Sequence, residues 1–443
     1  MCGNLFLHFH REPTAYSVGK TLSPEKKGKF MISVDEALQV ILDSIRVLGM
    51  ERLSIVNGLG RVLGEDIYAP YPIPPWDNSA MDGYALIHED IKDASRENPA
   101  VLTVIADLPA GYTSEKELAR GEAIRIMTGA PLPKGSDTVV MVEDTEREEN
   151  QVTIYSAPSA GTNIRKAGED VVKDSLVIPH GSIIHPADVG MLASLKRSFL
   201  SVYQRPTVAV VSTGDELIDV DGDFSPGKIV SSNTYSLASL VRDAGAEPLI
   251  MGIAKDRPEE LRAMFTAALN ADMIISSGGV SVGDYDLVKD ILQELGAEMK
   301  FWKVSMRPGQ PLAFGVIENT PTFGLPGNPV SCMISFEQFV RPSILKASGH
   351  KRLFPKLVDA RLQESVTKRE GKRYFMRCII TRENGEYVVT TTGGQGSGIL
   401  MSMVKANGLI VLPEETTTCE AGEIVKVQVL NRDFEMSETP CYH

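Results

Sequence analysis

Two glycine-bearing turns, each directly after a strand-like apolar run, constrain the fold of this chain most. They read STGDEL over Ser212–Leu217 and SSGGVSVGD over Ser276–Asp284. Glycine lets the backbone turn tightly and brings amide groups close to a phosphate or another oxyanion. A helix that follows such a turn adds the positive end of its dipole. The two turns therefore predict the rim of an anion-binding site.

Acidic side chains accompany both turns. They would repel a bound anion unless a hard cation lay between the carboxylates and the anion, and magnesium prefers such oxygen ligands. Magnesium is therefore implied. The carboxylates are those of Asp215, Glu216, Asp284 and Asp286.

The region that contains these turns alternates regularly between strand and helix patterns, from about Arg205 to about Gly349. Such alternation is typical of a doubly wound parallel sheet, in which ligands bind outside the carboxyl ends of the strands. Both turns fall at that edge. The predicted strands are 207–211, 248–253 and 273–276, and the predicted helices are 234–244, 258–269 and 286–295.

The whole chain is predicted to be an α/β multidomain protein, because 443 residues exceed what one core usually organises. Residues 1–30 are expected to be a disordered extension. Residues 31–69 and 169–204 are expected to form a split N-terminal helical and linker domain, beginning with an amphipathic helix from about Ser33 to Leu48. The remaining predicted domains are a β-rich domain over 70–168, the doubly wound domain over 205–349 and a C-terminal β-barrel-like domain over 355–430.

Local signals place two of these boundaries and turns. The run PYPIPPW, Pro70–Trp76, favours extended backbone and marks the start of the β-rich domain. Four short alternating segments between Asp77 and Gly168 read as strands. In the C-terminal domain, Asn384–Gly385 is suited to a tight hairpin between two strand patterns.

Composition restricts the possible functions. No apolar run approaches the roughly 20 residues that a membrane helix needs, and a formal charge of −13 argues against broad nucleic-acid binding. The five cysteines contain no CxxC pair and the seven histidines no HExxH motif, so the pattern disfavours zinc sites and disulfides and favours a reducing cytoplasm. His180 and His185 are expected to be structural.

Six motifs occur in order along the chain, and together they resemble the molybdopterin molybdotransferase family, MoeA in bacteria and the gephyrin E domain in animals. The resemblance runs from about Ser33 to Val429. The motifs are DNSAMDGYA (77–85), RIMTGAPLP (125–133), STGDEL (212–217), SSGGVSVGD (276–284), MRPGQP (306–311) and GLPGNPVS (324–331).

The resemblance implies a four-domain subunit that forms a homodimer, in which the β-rich domain of one subunit faces the doubly wound domain of the other across a shared active site. It also implies a reaction. Molybdate would be inserted into adenylylated molybdopterin, with magnesium-dependent hydrolysis that releases molybdenum cofactor and AMP. Contact with other molybdenum cofactor enzymes would follow from that role.

Site residues are carried over from the resemblance position by position. Water would be the nucleophile, with no covalent protein intermediate. The resemblance implies catalytic roles for Asp82, Thr128, Glu216, Asp256 and Asp286, of which Glu216, Asp256 and Asp286 would also bind the metal.

A second group would bind substrate. A tetrahedral dianion needs guanidinium, ammonium, hydroxyl or amide donors, and family positions of that kind are Lys303, Arg307, Ser331, Arg377 and Ser397. One position departs from the family, because Gln310 stands where relatives often have lysine. The resemblance adds as further substrate-binding residues Asp170, Ser277, Gly278, Gly279, Asp284 and Pro326.

Each motif also has a purely structural interpretation. DNSAMDGYA could be an Asx turn, STGDEL a helix cap with an acidic first turn, and GLPGNPVS a rigid turn that starts a helix at Pro329. Arg377 and Lys303 could be solvated surface charges.

Two functional alternatives remain beside the molybdotransferase. A molybdopterin adenylyltransferase would resemble residues 205–349 alone, which leaves the other regions unexplained. A pterin-binding scaffold protein would resemble the use of the E domain in gephyrin, but the chain has no long linker and no attached adenylyltransferase domain. Preference between molybdate and tungstate stays open.

Overall fold

The computed structural model describes residues 31–278, 287–436 and 438–439. The expected N-terminal extension lies outside the described residues. So do three predicted site residues, Gly279, Asp284 and Asp286.

A six-stranded mixed sheet forms the doubly wound domain. Its first four strands are parallel. Three of them carry the predicted alternation with helices, and the fourth, Thr320–Leu325, is followed in space by two antiparallel strands at one edge. The parallel part agrees with the prediction, whereas the antiparallel extension was not predicted. In spatial order the strands are Glu247–Ala254, Thr207–Thr213, Met273–Ser277, Thr320–Leu325, Pro311–Ile317 and Glu298–Lys303.

Helices cover both faces of this sheet. Val208 and Val210 point into one apolar core and Ala209 and Val211 into the other, as the period-two alternation of a strand requires. A parallel strand buried on both faces reads as a continuous apolar run. The helices are Ser232–Asp243, Pro258–Ala268, Leu287–Glu294, Pro329–Ser335 and Arg341–Ala347, with a π-helical turn at Phe336–Val340.

The first helix, Val34–Ser44, differs from the expectation in where it packs. Ser33 caps it through a capping box with Glu36, and its buried residues Val34, Ala37 and Ile41 belong to the core of the doubly wound domain. The segment that the sequence assigns to the split N-terminal domain thus begins with a helix that packs on the doubly wound domain. An amphipathic pattern shows that a helix buries one face, but it does not show against which domain.

A separate core joins residues near 53–73 with residues near 171–202. Leu63 and Ile67 come from the first segment, and Leu192 and Val202 from the second. Strand pairs connect the two segments. The elements are the strands Met50–Ser54 and Phe199–Tyr203, the strands Ile67–Tyr68 and Leu176–Ile178, the 3₁₀ turn Ile55–Gly58 and the helix Pro186–Ser194.

The β-rich domain is built around a second six-stranded sheet with its own apolar cores. Tyr84 and Leu86 are buried on one side and Ala85 on the other. The sheet strands, in spatial order, are Thr138–Met141, Gly83–Leu86, Glu122–Ile126, Ala100–Leu108, Gln151–Ile154 and Thr145–Glu148. The smaller elements are the strand pair Asn78–Ser79 and Ile164–Arg165 and the 3₁₀ turns His88–Asp90 and Val142–Asp144.

The strands of the C-terminal domain close on themselves, because Gly408–Leu412, at the end of the sheet that runs from Arg373–Glu383 through Glu386–Thr391, pairs back with Arg373–Glu383. Asn384 and Gly385, both with positive φ, form the predicted hairpin turn. The other elements are the strands Val358–Leu362, Ile424–Val429, Val366–Thr367 and Thr418–Cys419, the helix Met401–Lys405 and the 3₁₀ turn Asp433–Glu435. The short strand Met306–Arg307 of the preceding domain pairs with Arg373 and Tyr374.

Among the described residues, the helices are too short or too polar to cross a lipid bilayer.

Candidate functional site

A cleft of about 380 Å³ opens at the carboxyl ends of the parallel strands. We call it the strand-end cleft. It contains three of the predicted residues, Glu216, Ser277 and Gly278, and its position is the one expected for a doubly wound sheet. Its lining also includes Thr213, Leu217, Ile229, Val230, Ser231, Ser232, Asn233, Gly327, Asn328 and Pro329.

A close approach to backbone requires the glycine at Gly278, whereas at Gly214 the positive φ favours glycine. Gly278 has φ +89°, and a Cβ there would lie 2.7 Å from the carbonyl oxygen of Thr213. Gly214 has φ +144°, and a side chain there would collide with the Glu216 carboxylate. The absence of side chains therefore brings the two turns together and lets Glu216 fold back across its own turn.

One expectation about the first turn is wrong. After STGDEL the chain continues into the short strand Leu217–Ile218, and the next helix begins at Ser232. The turn is therefore not a helix cap, and no helix dipole acts directly at it. The structural interpretation of GLPGNPVS is confirmed in part, because a helix does begin at Pro329.

Two buried polar atoms in the strand-end cleft have no hydrogen-bond partner among the described residues, Thr213 Oγ1 and Asn233 Oδ1. Asn233 is anchored, since its Nδ2 donates to Ser277 Oγ at 2.7 Å and to the Gly327 carbonyl at 2.8 Å. Buried polar atoms without partners are costly and mark places where a ligand can supply the missing bond. The sequence analysis missed Asn233. Its position, the second residue of a helix that follows a strand, could have indicated it, because ligands bind near strand ends in this kind of sheet.

Acidic side chains gather at one end of this cleft. The Asp256 backbone N–H donates to Asp215 Oδ1 at 3.3 Å. Burial raises the pKa of Asp256, and the nearby charges of Asp215 and Glu216 raise it further. The structure thus brings together two of the three predicted metal ligands, Glu216 and Asp256.

The complete metal site cannot be assembled from the described residues, in which no three His, Cys, Asp or Glu side chains are placed to hold an ion. The third expected ligand, Asp286, is outside them. A cation would nevertheless fit the carboxylates that are present, because it would relieve the repulsion that raises the pKa of Asp256.

Asp82 and Thr128 form a pair in the β-rich domain. Thr128 donates to Asp82 Oδ1 from its backbone N–H at 2.7 Å and from its hydroxyl at 2.8 Å. These bonds, the backbone one first, hold the pKa of Asp82 below its usual value, and the charge of Arg125 contributes in the same direction. Neither Asp82 nor Thr128 lines the strand-end cleft of its own chain.

A second cleft, of about 600 Å³, lies between the doubly wound and C-terminal domains. We call it the cationic cleft, because four positively charged side chains line it. Two of them, Arg307 and Arg377, were predicted. The lining comprises Arg307, Pro308, Thr367, Lys368, Arg369, Tyr374, Phe375, Met376, Arg377, Gln395 and Gly396.

Arg377 is not a solvated surface charge, since only 1% of it is exposed. Its Nε donates to Ser402 Oγ at 3.0 Å and its Nη2 to the carbonyls of Gly396 at 3.0 Å and Gly394 at 3.4 Å. Burial lowers the pKa of Arg377 to about 10. A buried guanidinium held only by neutral groups is a strong attractor for an anion.

The glycine-rich loop 393–398 lines the cationic cleft and contacts the helix that begins beside the strand-end cleft. On one side Gly394 and Gly396 accept from Arg377, and on the other the carbonyl of Ser397 accepts from the backbone N–H of Val330 at 3.1 Å. This contact places the predicted residue Ser397 beside Val330, the neighbour of the predicted residue Ser331. Ser331 is buried in the first turn of the helix Pro329–Ser335. Pro326 is buried directly before the cleft residue Gly327.

Several predicted or flagged residues line neither cleft, among them Lys303, Asp170 and Gln310. Lys303 ends an edge strand of the doubly wound sheet, and Asp170 is exposed in the segment that follows the β-rich domain. Gln310 accepts a hydrogen bond from Lys372 Nζ at 2.6 Å, so an ammonium group does lie beside the position that departs from the family.

Family profiles match most of the described chain. They are the MoeA N-terminal region (domain I and II) over residues 32–195, a "Probable molybdopterin binding domain" over 209–346 and the MoeA C-terminal region (domain IV) over 359–430.

Individual proteins are similar over nearly the whole chain. The molybdopterin molybdenumtransferase of Nostoc sp. is 38% identical over 407 residues, which cover 90% of this chain and 93% of that protein. The molybdopterin molybdenumtransferase of Bacillus subtilis is 36% identical, with 92% and 96% covered. The crystal structure of the molybdopterin biosynthesis MoeA protein from Pyrococcus horikosii has 33% identity and a TM-score of 0.78, and covers 91% of this chain and 100% of its own.

The sequence resemblance and the multidomain α/β architecture are thereby confirmed. Identities of 36–38% extend over nine tenths of the chain, so the similarity is not confined to a single shared domain. The chain belongs to the MoeA, or molybdopterin molybdenumtransferase, family.

Proposed function

We propose that this protein is a molybdopterin molybdenumtransferase that inserts molybdate into adenylylated molybdopterin and releases molybdenum cofactor and AMP. One observation carries the proposal. An acidic, glycine-built cleft and a cleft with a buried guanidinium are linked by one loop, 393–398, which accepts hydrogen bonds from Arg377 and from Val330, the residue after the strand-end cleft residue Pro329. The substrate carries a phosphoanhydride in the same molecule as the group that accepts molybdate. It therefore needs a cleft for the phosphoanhydride next to a cleft for the oxyanion.

The strand-end cleft is suited to the phosphoanhydride. The close approach of Gly278 to Thr213 leaves backbone and hydroxyl groups near the ligand, and Thr213 Oγ1 lacks a partner that a phosphate oxygen can supply. Glu216, Asp256 and Asp286 would hold Mg²⁺. Magnesium, when bound, neutralises charge that develops on the phosphate oxygens.

Asp82 suits the orientation of the attacking water rather than strong proton abstraction. Its pKa lies below the usual range, so it is ionised at neutral pH and is a weak base. Thr128 fixes one carboxylate oxygen with two hydrogen bonds, which leaves Oδ2 to accept from water.

The cationic cleft is suited to molybdate. Arg377 and Arg307 would face the dianion, and the loop residue Ser397 and the helix residue Ser331 would donate from the side of the strand-end cleft. Ser331, Ser397 and Lys303 all line neither cleft. The two serines are included because the Ser397 carbonyl contacts Val330, the residue before Ser331, whereas Lys303 ends an edge strand of the sheet.

Asp82 and Thr128 line neither cleft of their own chain, which supports a homodimer with a shared active site. Mixing inactive subunits tests this arrangement. If Asp82→Asn and Glu216→Gln subunits are each inactive, a random mixture should recover about one quarter of wild-type activity, because half of the dimers carry one intact site. A site contained within one subunit would recover none.

Magnesium-dependent AMP release from adenylylated molybdopterin tests the function itself. With molybdate, AMP release should accompany reconstitution of a molybdenum apoenzyme, Glu216→Gln should abolish both, and Arg377→Ala should raise the molybdate requirement more than it weakens nucleotide binding. Intact substrate under all conditions would refute the proposal.

The adenylyltransferase alternative is not supported, because the family profiles extend over the N-terminal and C-terminal regions as well as residues 209–346.

A cytoplasmic location belongs to the proposal. The three described cysteines, Cys332, Cys378 and Cys419, are free and buried, as in proteins of a reducing compartment. Delivery of the cofactor to other enzymes would require contact with them.

A further inference from the structure

The cationic cleft contains more positive charge than the two predicted arginines. Lys368 and Arg369 come from the segment that precedes the strand Arg373–Glu383, and no family motif pointed to them. No carboxylate occurs among the described residues that line this cleft. In a chain with a formal charge of −13, four cations around one cavity without an acid repel one another, and an anion bound in the cavity relieves that repulsion.

The buried side chains of this cluster are held by neutral groups, which leave their positive charges in place. Lys368 is only 9% exposed, and its Nζ donates to the carbonyls of Lys372 and Glu414, each at 2.9 Å. The nearest acidic side chain along these contacts, that of Glu414, pairs with Arg373 at 3.3 Å. Lys368 therefore keeps a positive charge that faces the cleft.

Tyr374 connects the inner and outer cations. The Lys368 ammonium lies 5.2 Å from its ring centroid and the Arg307 guanidinium 5.6 Å from the same ring. Arg307 Nη1 also approaches the Tyr374 hydroxyl at 3.4 Å. An aromatic ring between two cations holds both in place and compensates part of their mutual repulsion.

The cationic cleft is also larger than one molybdate ion requires. A tetrahedral oxyanion occupies only a small part of about 600 Å³, so the cavity can admit a hydrated anion before its water is replaced at Arg377. Clefts lined by one sign of charge raise the local concentration of an oppositely charged substrate.

We propose that Lys368 and Arg369 form an access path that collects free molybdate and passes it to Arg377. This inference rests on the proposed function, because it assumes that Arg377 binds the oxyanion. Exposed Arg369 acts at long range on the dissolved dianion. Lys368, deeper and desolvated, acts on the dianion that has entered.

Molybdate binding to the full-length protein, measured by calorimetry without pterin substrate, tests the path. One charge about 10 Å from a dianion in water changes affinity about fourfold without salt, and because the Debye length at about 20 mM salt is about 20 Å, Arg369→Gln should weaken binding about two- to threefold there. At about 200 mM salt the loss should shrink below about twofold, since the Debye length is then under 10 Å. A change in packing would not show this dependence on salt.

Three further variants complete the test. Arg369→Lys retains the charge and should retain most of the affinity, whereas adding Lys368→Gln to Arg369→Gln should weaken binding about tenfold at low salt. Arg382→Gln, an exposed arginine of the same domain outside the cleft, should bind as wild type does. Because Arg369 is exposed, its variants remain informative even if Lys368→Gln impairs folding.

The outcomes separate this inference from the proposed function. Wild-type affinity of the double variant at low salt, together with lost binding in Arg377→Ala, would overturn the access path and leave the oxyanion site in place. Wild-type affinity of Arg377→Ala would overturn the oxyanion site and the path with it.

Discussion

Gly278→Ala should damage this protein far more than a glycine substitution with the same backbone conformation elsewhere in the same domain. A Cβ at Gly278 would lie 2.7 Å from the carbonyl oxygen of Thr213, whereas ordinary contact begins at 3.4 Å. Gly296 is a matched control. Its φ of +81° is close to the +89° of Gly278, but a Cβ there would meet nothing within 4 Å.

The two substitutions share one cost and differ in another. A side chain in the left-handed region costs about 1–2 kcal/mol, and the reduced freedom of the unfolded chain offsets about 0.4–1 kcal/mol of it. These terms apply to both variants. Only Gly278→Ala must also separate the ends of two neighbouring strands, which adds about 1–3 kcal/mol, as in other overpacked sites.

Thermal unfolding of the two variants measures the difference. For a domain of about 150–250 residues, 1 kcal/mol corresponds to about 2–4 °C, so Gly278→Ala should melt about 2–12 °C below Gly296→Ala. AMP release should fall in Gly278→Ala and persist in Gly296→Ala, because only Gly278 lines the strand-end cleft. Equal melting temperatures would refute the argument that the close approach to Thr213 requires glycine.

Two further predictions concern the carboxylates. Thr128→Val removes the hydroxyl that bonds Asp82 and keeps the backbone N–H, so the pKa of Asp82 should rise toward its usual value and the acid limb of the pH–rate profile should move to higher pH. Carboxyl NMR titration checks the pKa, and Thr128→Ser should keep it low. For Asp256 the pKa is raised, so the metal-free protein loses stability as pH rises through that value. Asp256→Asn should therefore melt at a higher temperature than wild type at pH 7 without magnesium. Added magnesium should raise its melting temperature less than that of wild type, and an equal rise would contradict the metal assignment. Asp93→Asn, at an exposed aspartate of the β-rich domain, is the control, and magnesium should raise its melting temperature as much as that of wild type.

The sequence predicted the parts of the site whose signals are local. Glycines beside a strand end indicated the turn at Gly278, and the close approach to Thr213 gives the reason. Motif identity singled out Asp82 and Thr128 separately, but their hydrogen bonding across 46 positions appears only in the structure. Both features depend on residue types that few other side chains can replace.

Features that depend on the assembled fold were not predicted. Burial of Arg377 arises from the packing of loop 393–398 over a barrel strand, and a single arginine in sequence carries no sign of it. Lys368 reaches the cationic cleft because the barrel brings its segment beside Tyr374. The strand Pro311–Ile317 was missed because its antiparallel pairing depends on its neighbour in space.

The position of the first helix also affects how the chain must fold. Val34 and Ile41 complete a core whose other members begin with Val208 and extend to the C-terminal domain, where Phe375 and Leu409 contribute. During synthesis the helix leaves the ribosome long before those partners exist, while the β-rich domain can form its own cores in the interval. Contacts so distant in sequence slow folding, so the apolar face of the first helix must stay unaggregated until nearly the whole chain has been made.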